Sequence, residues 1–292
     1  MRRAVHLMTP LILLMLLVSG AAAQETTPEP QPEEPALLSA FFGLDNDLPL
    51  GANRLCRGSG REDGMPVIFS AEIDPESLHK EDFVVATASG RLYVPECVTL
   101  DPATDTGELR TVLLTGELGE VDGDAPVQVR IVGEILGLND PDVNFLGARV
   151  DVTPLEAGPF LVLAERVPET QWSLDQRSGR QQGDGCPSEG TVQIVRVTWA
   201  GGVTLANGDE AGDDERALYE VTLVNAEGEE DTVTPFALAD IGDGDNNHLL
   251  CLDVDGEPVS VFFPEGSLYD PNHDTPNPDT TIAVNPLPEA DE

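Results

Sequence analysis

The residues with most scope for chemistry are oxygen ligands at alternate positions of two acidic loops. In Asp240 to Asp255, DIGDGDNNHLLCLDVD, the residues Asp243, Asp245 and Asn247 have the 1-3-5 spacing of a calcium loop, in which alternate side chains converge as the backbone wraps a hard cation. The loop is not an EF-hand. Its sixth position is His248 where glycine is needed, and its twelfth is Val254 where a bidentate glutamate is needed. Any further ligands must come from elsewhere, such as Asp253 or Asp240. In Asp270 to Asp279, DPNHDTPNPD, the residues Asp270, Asn272 and Asp274 repeat the spacing, and Pro271, Pro276 and Pro278 stiffen the loop. Stiffness lowers the ordering cost of binding an ion. A weaker cluster is Asn139-Asp140-Pro141-Asp142-Val143-Asn144, placed towards the junction of the two halves of the chain. The competing reading of all three is structural, because Asp, Asn and Gly are the commonest turn formers.

His248 and His273 fall in the two acidic loops, and His79 lies apart from both. If the loops meet, two imidazoles among carboxylates suit zinc, copper or manganese better than calcium. No HExxH, GxSxG or phosphate-cradling glycine loop is present. Trp172, Trp199, Tyr219 and Tyr269 offer a platform for stacking a sugar, although such residues more often pack a core.

Charge and cysteine set the compartment. The formal net charge is -39, from 54 acidic and 15 basic residues, and Lys80 is the single lysine. Such a surface repels nucleic acid and anionic lipid and attracts cations. Residues 1–23 read as a secretory signal: Arg2 and Arg3, an apolar stretch centred on Leu11 to Val18, then Ala21-Ala22-Ala23 as the cleavage site. No later apolar run is long enough to insert in a membrane as a helix. A periplasmic or extracellular location follows as an expectation, and there four cysteines favour two disulfides. Three connectivities exist. Cys56–Cys97 and Cys186–Cys251, one pair in each half, is the simplest.

Short alternating strands separated by turn residues must position these groups. Residues 24–35 are a Pro/Glu spacer that has no apolar area to bury. Residues 36–154 carry strands at Val67 to Phe69, Phe83 to Thr87, Arg91 to Val94, Cys97 to Leu100 and Leu109 to Leu114, with Val127, Val129 and Ile131 and then Ala148, Val150 and Val152 alternating with polar neighbours. Residues 158–284 carry a second set, of which Thr191 to Trp199 is the most apolar. Its phase shifts between Ile194 and Val195, which predicts a bulge or burial on both faces. Strands at Tyr219 to Leu223, Thr232 to Phe236, Leu249 to Val254 and Val259 to Phe263 follow, and residues 285–292 form a flexible, acidic, Pro-rich tail. Regular short strands with no long helical period predict an all-β chain of two tandem β-sandwich-like units. No internal repeat is visible between the halves.

One stretch of the first half resembles a known family. Phe69-Ser70 runs into Ile73-Asp74-Pro75-Glu76-Ser77-Leu78 and Asp82-Phe83, followed by Val85 and Thr87-Ala88-Ser89-Gly90. This is similar to the bacterial Ig-like domain of the S-layer type. The resemblance implies an Ig-like β-sandwich for the first unit and no activity, since such modules are scaffolds. Together these features point to an exported, non-enzymatic binding or structural protein of the cell envelope, stabilised by calcium. Its partners would be a divalent cation and a surface glycan or envelope protein, with no nucleic acid and no membrane insertion. The alternatives are a secreted hydrolase with an accessory Ig-like domain, and a glycan-binding module.

Overall fold

A computed structural model describes residues 34–179 and 182–287. The predicted leader, all but the last two residues of the spacer, and the end of the predicted tail lie outside the described residues.

The chain is nearly all β. In the first half the strands are β1 (Leu37–Phe42), β2 (Asp63–Phe69), β3 (Phe83–Thr87), β4 (Leu92–Tyr93), β5 (Cys97–Thr99), β6 (Thr111–Gly116), β7 (Pro126–Ile131) and β8 (Arg149–Pro154). In the second half they are β9 (Leu161–Arg166), β10 (Gln193–Trp199), β11 (Glu220–Val224), β12 (Glu230–Val233), β13 (Ala237–Ala239), β14 (Asn247–Leu252), β15 (Glu257–Phe263) and β16 (Thr280–Asn285). Each set forms one eight-stranded sheet, ordered β4-β3-β7-β8-β1-β2-β6-β5 and β12-β11-β15-β16-β9-β10-β14-β13. The second order is the first with every number raised by eight. The repeat that the side chains do not reveal is present in the topology. In both sheets the first and last strands pair in parallel, as Ala40↔Val152 and as Val284↔Ala164, while the other ladders are antiparallel. That parallel seam joins two four-stranded halves, which curl over a shared core.

Alternation explains which residues fill each core. Phe42, Val67 and Phe69 meet Phe83, Val85, Val129 and Ile131 from the opposite half, with Phe145 edge-on to Phe69 at 4.9 Å between ring centroids. In the second unit Val195, Val197 and Trp199 meet Tyr219, Val221, Val261 and Phe263. Val127 departs from its expected inward position and is exposed. The β3–β7 register shifts between Ala86 and Thr87, so Pro126 takes the inward place. The predicted turn after Ile73 is a short 3-10 segment, Pro75–Ser77, with the Asp74 side chain accepting from Glu76 N at 2.9 Å.

Both disulfides follow the simplest pairing, Cys56–Cys97 and Cys186–Cys251. Each ties the long loop after its unit's first strand to one side of the sheet, to the edge strand β5 in one unit and to β14, next to the edge strand β13, in the other. The most apolar predicted strand, β10, is buried at every position. One of its faces packs in the second core; on the other, Ile194 lies under the unit's own Cys186 loop and Arg196 meets the first unit, which accounts for its lack of alternation.

Candidate functional site

Charged side chains gather where the two units touch. The apolar part of this contact is small: Phe41 and Ile68, pointing away from the first core, pack on Val162 of β9 and on Ala200. Beside them stands Arg196 of β10, only 4 % exposed. Its Nη2 donates to the Thr106 carbonyl at 2.6 Å, and its Nη1 to the Gly107 carbonyl at 3.1 Å and to Glu165 Oε1 at 3.0 Å. Its Nε lies 3.6 Å from Glu108 Oε1. Arg110 reaches back from the first unit to Glu165 at 3.3 Å. Glycine is required at position 107, where φ is +92° and a Cβ would strike the guanidinium. Burial works against the charge on Arg196, but Glu108, Glu165 and Asp240 outweigh it and hold the group firmly protonated.

Two topologically equivalent loops carry acids into this junction, one between β5 and β6 and the other between β13 and β14. Asp105 and Glu108 come from the first and Asp240 from the second, and they place one carboxylate oxygen each within 4.8 Å of one another. Backbone amides fix their orientation: Gly183 N donates to Asp105 Oδ2 at 3.1 Å, and Asp105 N to Glu108 Oε2 at 3.2 Å. Asp240 is 4 % exposed, and its Oδ2 takes no hydrogen bond from any amide, hydroxyl or guanidinium. Burial, then the neighbouring Asp240 carboxyl, pushes Glu108 well above the usual carboxylate range. Burial, then repulsion from Asp245, raises Asp240 to about 8. Burial also raises Asp245, with Glu108 and Asp243 adding to it.

The predicted ligands divide between structural bonds and open oxygens. Asn247 opens β14, and its side chain is committed on both sides: Oδ1 accepts from Thr198 at 2.7 Å and Nδ2 donates to Asp245 Oδ2 at 2.9 Å. Asp245 Oδ1 accepts from Asn247 N. Asp243 Oδ1 accepts from Asp245 N at 3.4 Å, while its Oδ2 is buried and unbonded. In the second loop Asp270 Oδ1 accepts from Asn272 N and Asp274 N, and its Oδ2 is likewise buried and unbonded. Asn272 is half-buried and Asp274 exposed. Asp243, Asp245 and Asp270 line one cavity of about 650 Å³ between the units, whose other walls include Phe41, Leu48, Pro102 and Leu113. The weaker Asn139–Asn144 cluster also lies at the junction, where Asn139 and Asp140 line a second cavity with Glu165 and Arg166. There Asp140 Oδ1 accepts from Asp142 N, a turn-forming bond.

The histidines do not meet in a site. His248 is buried in β14, and its Nδ1 lies 2.8 Å from Tyr219 Oη, which in turn lies 3.0 Å from Trp199 Nε1. The indole N–H can only donate. Tyr219 therefore turns its own proton to His248, which is the neutral tautomer with its hydrogen on Nε2. Burial lowers His248 to about 4. His273 is exposed, 3.5 Å from Thr204. Trp199 and Tyr219 are fully buried, and Trp172 is half-buried with its indole donating to the Val167 carbonyl, so the four aromatics form no open platform. Arg196, Asp105, Glu108 and Asn246 are absent from the sequence-based candidates. Only Arg196 leaves a signal, as the one charge inside the most apolar strand.

No family model matches the chain, and no curated protein matches it. Among the solved structures similar to the chain are three of a bacterial surface-layer protein. The N-terminal part of the bacterial S-layer protein SbsC is 13% identical with a TM-score of 0.30, covering 86% of this chain and 44% of that one. The S-layer protein rSbsC(31-844) is 10% identical with a TM-score of 0.30, covering 87% and 54%. Domains 1-6 of surface layer protein SbsC are 9% identical with a TM-score of 0.27, covering 88% and 55%. The chain thus spans about half the length of these proteins, and likeness at this level carries no weight for function.

Two outcomes follow from the geometry. Replacing Arg196 with Met strands Glu108 and Glu165, and denaturant unfolding is expected to show a loss of ~3–5 kcal/mol. Arg91→Met, at the largely exposed pair with Asp124, is expected to leave the unfolding midpoint unchanged. The second outcome concerns acid. His248 has its folded value below its unfolded one, so its contribution is complete above about pH 6.5 and is lost as pH falls towards about 4. At the lower end the loss amounts to roughly 3 kcal/mol. His248→Gln removes the titrating group and should flatten the acid limb of stability against pH between those values; an unchanged limb would contradict the assignment.

Proposed function

We propose that this chain is an exported, non-enzymatic structural module of the bacterial cell envelope, with a first unit of the Ig-like type and a calcium-stabilised junction. The observation that carries the reading is the junction itself. Two disulfide-bonded β-sandwich-like units are fused through a buried apolar cluster and a buried ion network, an arrangement suited to holding their relative orientation under load. The disulfides require an oxidising compartment, and the signal-like leader agrees with export to the periplasm or the outside.

Calcium is the cation that suits the oxygen-only ligands of the Asp243 and Asp270 loops, since softer metals prefer nitrogen and sulfur. Asp243, Asp245, Asp270, Asn272 and Asp274 are the residues proposed to surround it, with Asn247 holding Asp245 in place. The unbonded Oδ2 atoms of Asp243 and Asp270 favour this, because a buried carboxylate oxygen without a donor is costly. Envelope protein or surface glycan remains the proposed macromolecular partner.

Cell fractionation with thiol trapping tests the reading. The chain should be recovered outside the cytoplasm, and its cysteines should react with an alkylating reagent only after unfolding and reduction. A cytoplasmic protein with four free thiols would refute it.

A further inference from the structure

Three carboxylates at the junction lie outside the 1-3-5 positions of the acidic loops, Asp105 and Glu108 in another loop and Asp240 at the start of the Asp240–Asp255 loop, and their surroundings demand a positive charge. Glu108 and Asp240 sit carboxyl to carboxyl with Asp105 beside them, all three presenting oxygens within 4.8 Å. Two ionised carboxylates in contact need a proton or a cation between them. The nearby guanidiniums fill that need only in part, through the 3.6 Å approach of Arg196 Nε to Glu108. Arg196 spends its Nη1 and Nη2 groups on Glu165 and the carbonyls of Thr106 and Gly107, and Arg110 turns to Glu165. With every carboxylate ionised, two arginines set against Glu165 and the trio leave two negative charges uncompensated, to be met by protons or by a cation. The buried Oδ2 of Asp240, without any amide, hydroxyl or guanidinium donor, is the second mark of a missing ligand.

We infer that Asp105, Glu108 and Asp240 form a calcium site that bridges the two units. The ligand set is three carboxylates in a junction left two charges negative once the arginines are counted, which selects a hard divalent ion. Three oxygens within 4.8 Å of one another lie at most about 2.8 Å from a common centre, so shifts of a few tenths of an ångström bring all three to the roughly 2.3–2.6 Å typical of calcium. The backbone holds the ligands in advance: the Gly183 and Asp105 amides orient Asp105 and Glu108, and the close packing of Gly183 on Asp240 Oδ1 fixes that side chain. Because the ligands come from equivalent loops of the two units, the ion staples one unit to the other. This deepens the reading of a calcium-stabilised module, on which it rests, while using none of the ligands proposed in the Asp243 and Asp270 loops.

The test is calcium titration calorimetry on the full, oxidised, chelator-treated chain, paired with hydrogen exchange of segments 101–108 and 183–184. Wild type should bind calcium with slowed exchange in both segments. Asp240→Asn and Glu108→Gln should each lose that site and the slowing, while Asp243→Asn with Asp270→Asn should keep them. Asp105→Asn, at a half-buried position that tolerates the change, should weaken the site by ~10-fold or more and serves if the buried variants do not fold. Calcium bound by Asp240→Asn as tightly as by wild type, but lost from the Asp243→Asn with Asp270→Asn variant, would overturn the bridging site and leave the proposed loops standing. No calcium bound by wild type would overturn both, while leaving export to its own test.

Discussion

A single buried guanidinium sets the terms for the junction. Arg196 projects from the most apolar strand, on the face that a lone sandwich would give to water. Removing that charge from solvent costs several kcal/mol unless partners surround it. The first unit supplies them: two backbone carbonyls at Thr106 and Gly107, the Glu108 carboxylate, and Arg110 to share Glu165. Separating the units would strand these groups. Orientation between the units is therefore specified by hydrogen-bond geometry, with the small cluster of Phe41, Ile68, Val162 and Ala200 supplying apolar burial but little direction.

The identical strand order gives this arrangement a simple logic. Each unit has a long loop after its first strand, pinned by a disulfide, and an acidic loop between the last two strands at one edge. At the junction the acidic loops of both units come together. One contributes carbonyls and carboxylates that receive Arg196. The other contributes Asp240, and Asn246, whose side chain bonds Thr111 across the contact at 3.2 Å. Like charges concentrated this way oppose association unless protons or cations lie among them.

The fold class is legible in the sequence because half-buried strands alternate and because Gly, Pro, Asn and Asp mark their ends. Both disulfides are legible from the placing of two cysteines in each half. Strands that depend on partners distant in the chain are harder to read. β1 and β16 each supply one side of a parallel seam, with β8 and β9 respectively, and nothing local marks Leu37–Phe42 or Thr280–Asn285 as central. The topological repeat is invisible because backbone pairing recurs without shared side chains. At the site, the 1-3-5 spacing identifies loops that do reach the junction, but it does not tell a ligand from a turn. Asn247 has the right spacing and spends its amide on Thr198 and Asp245. Asp105 and Glu108 lie more than a hundred residues from Asp240, and only the folded chain brings the three together.

Scanning calorimetry of the oxidised chain in excess calcium tests most directly whether the junction makes the two units one body. Locked units should unfold in a single transition whose calorimetric and van't Hoff enthalpies agree. Two resolved transitions, or a van't Hoff enthalpy near half the calorimetric one, would mean that the units melt independently and that the buried network does not join them.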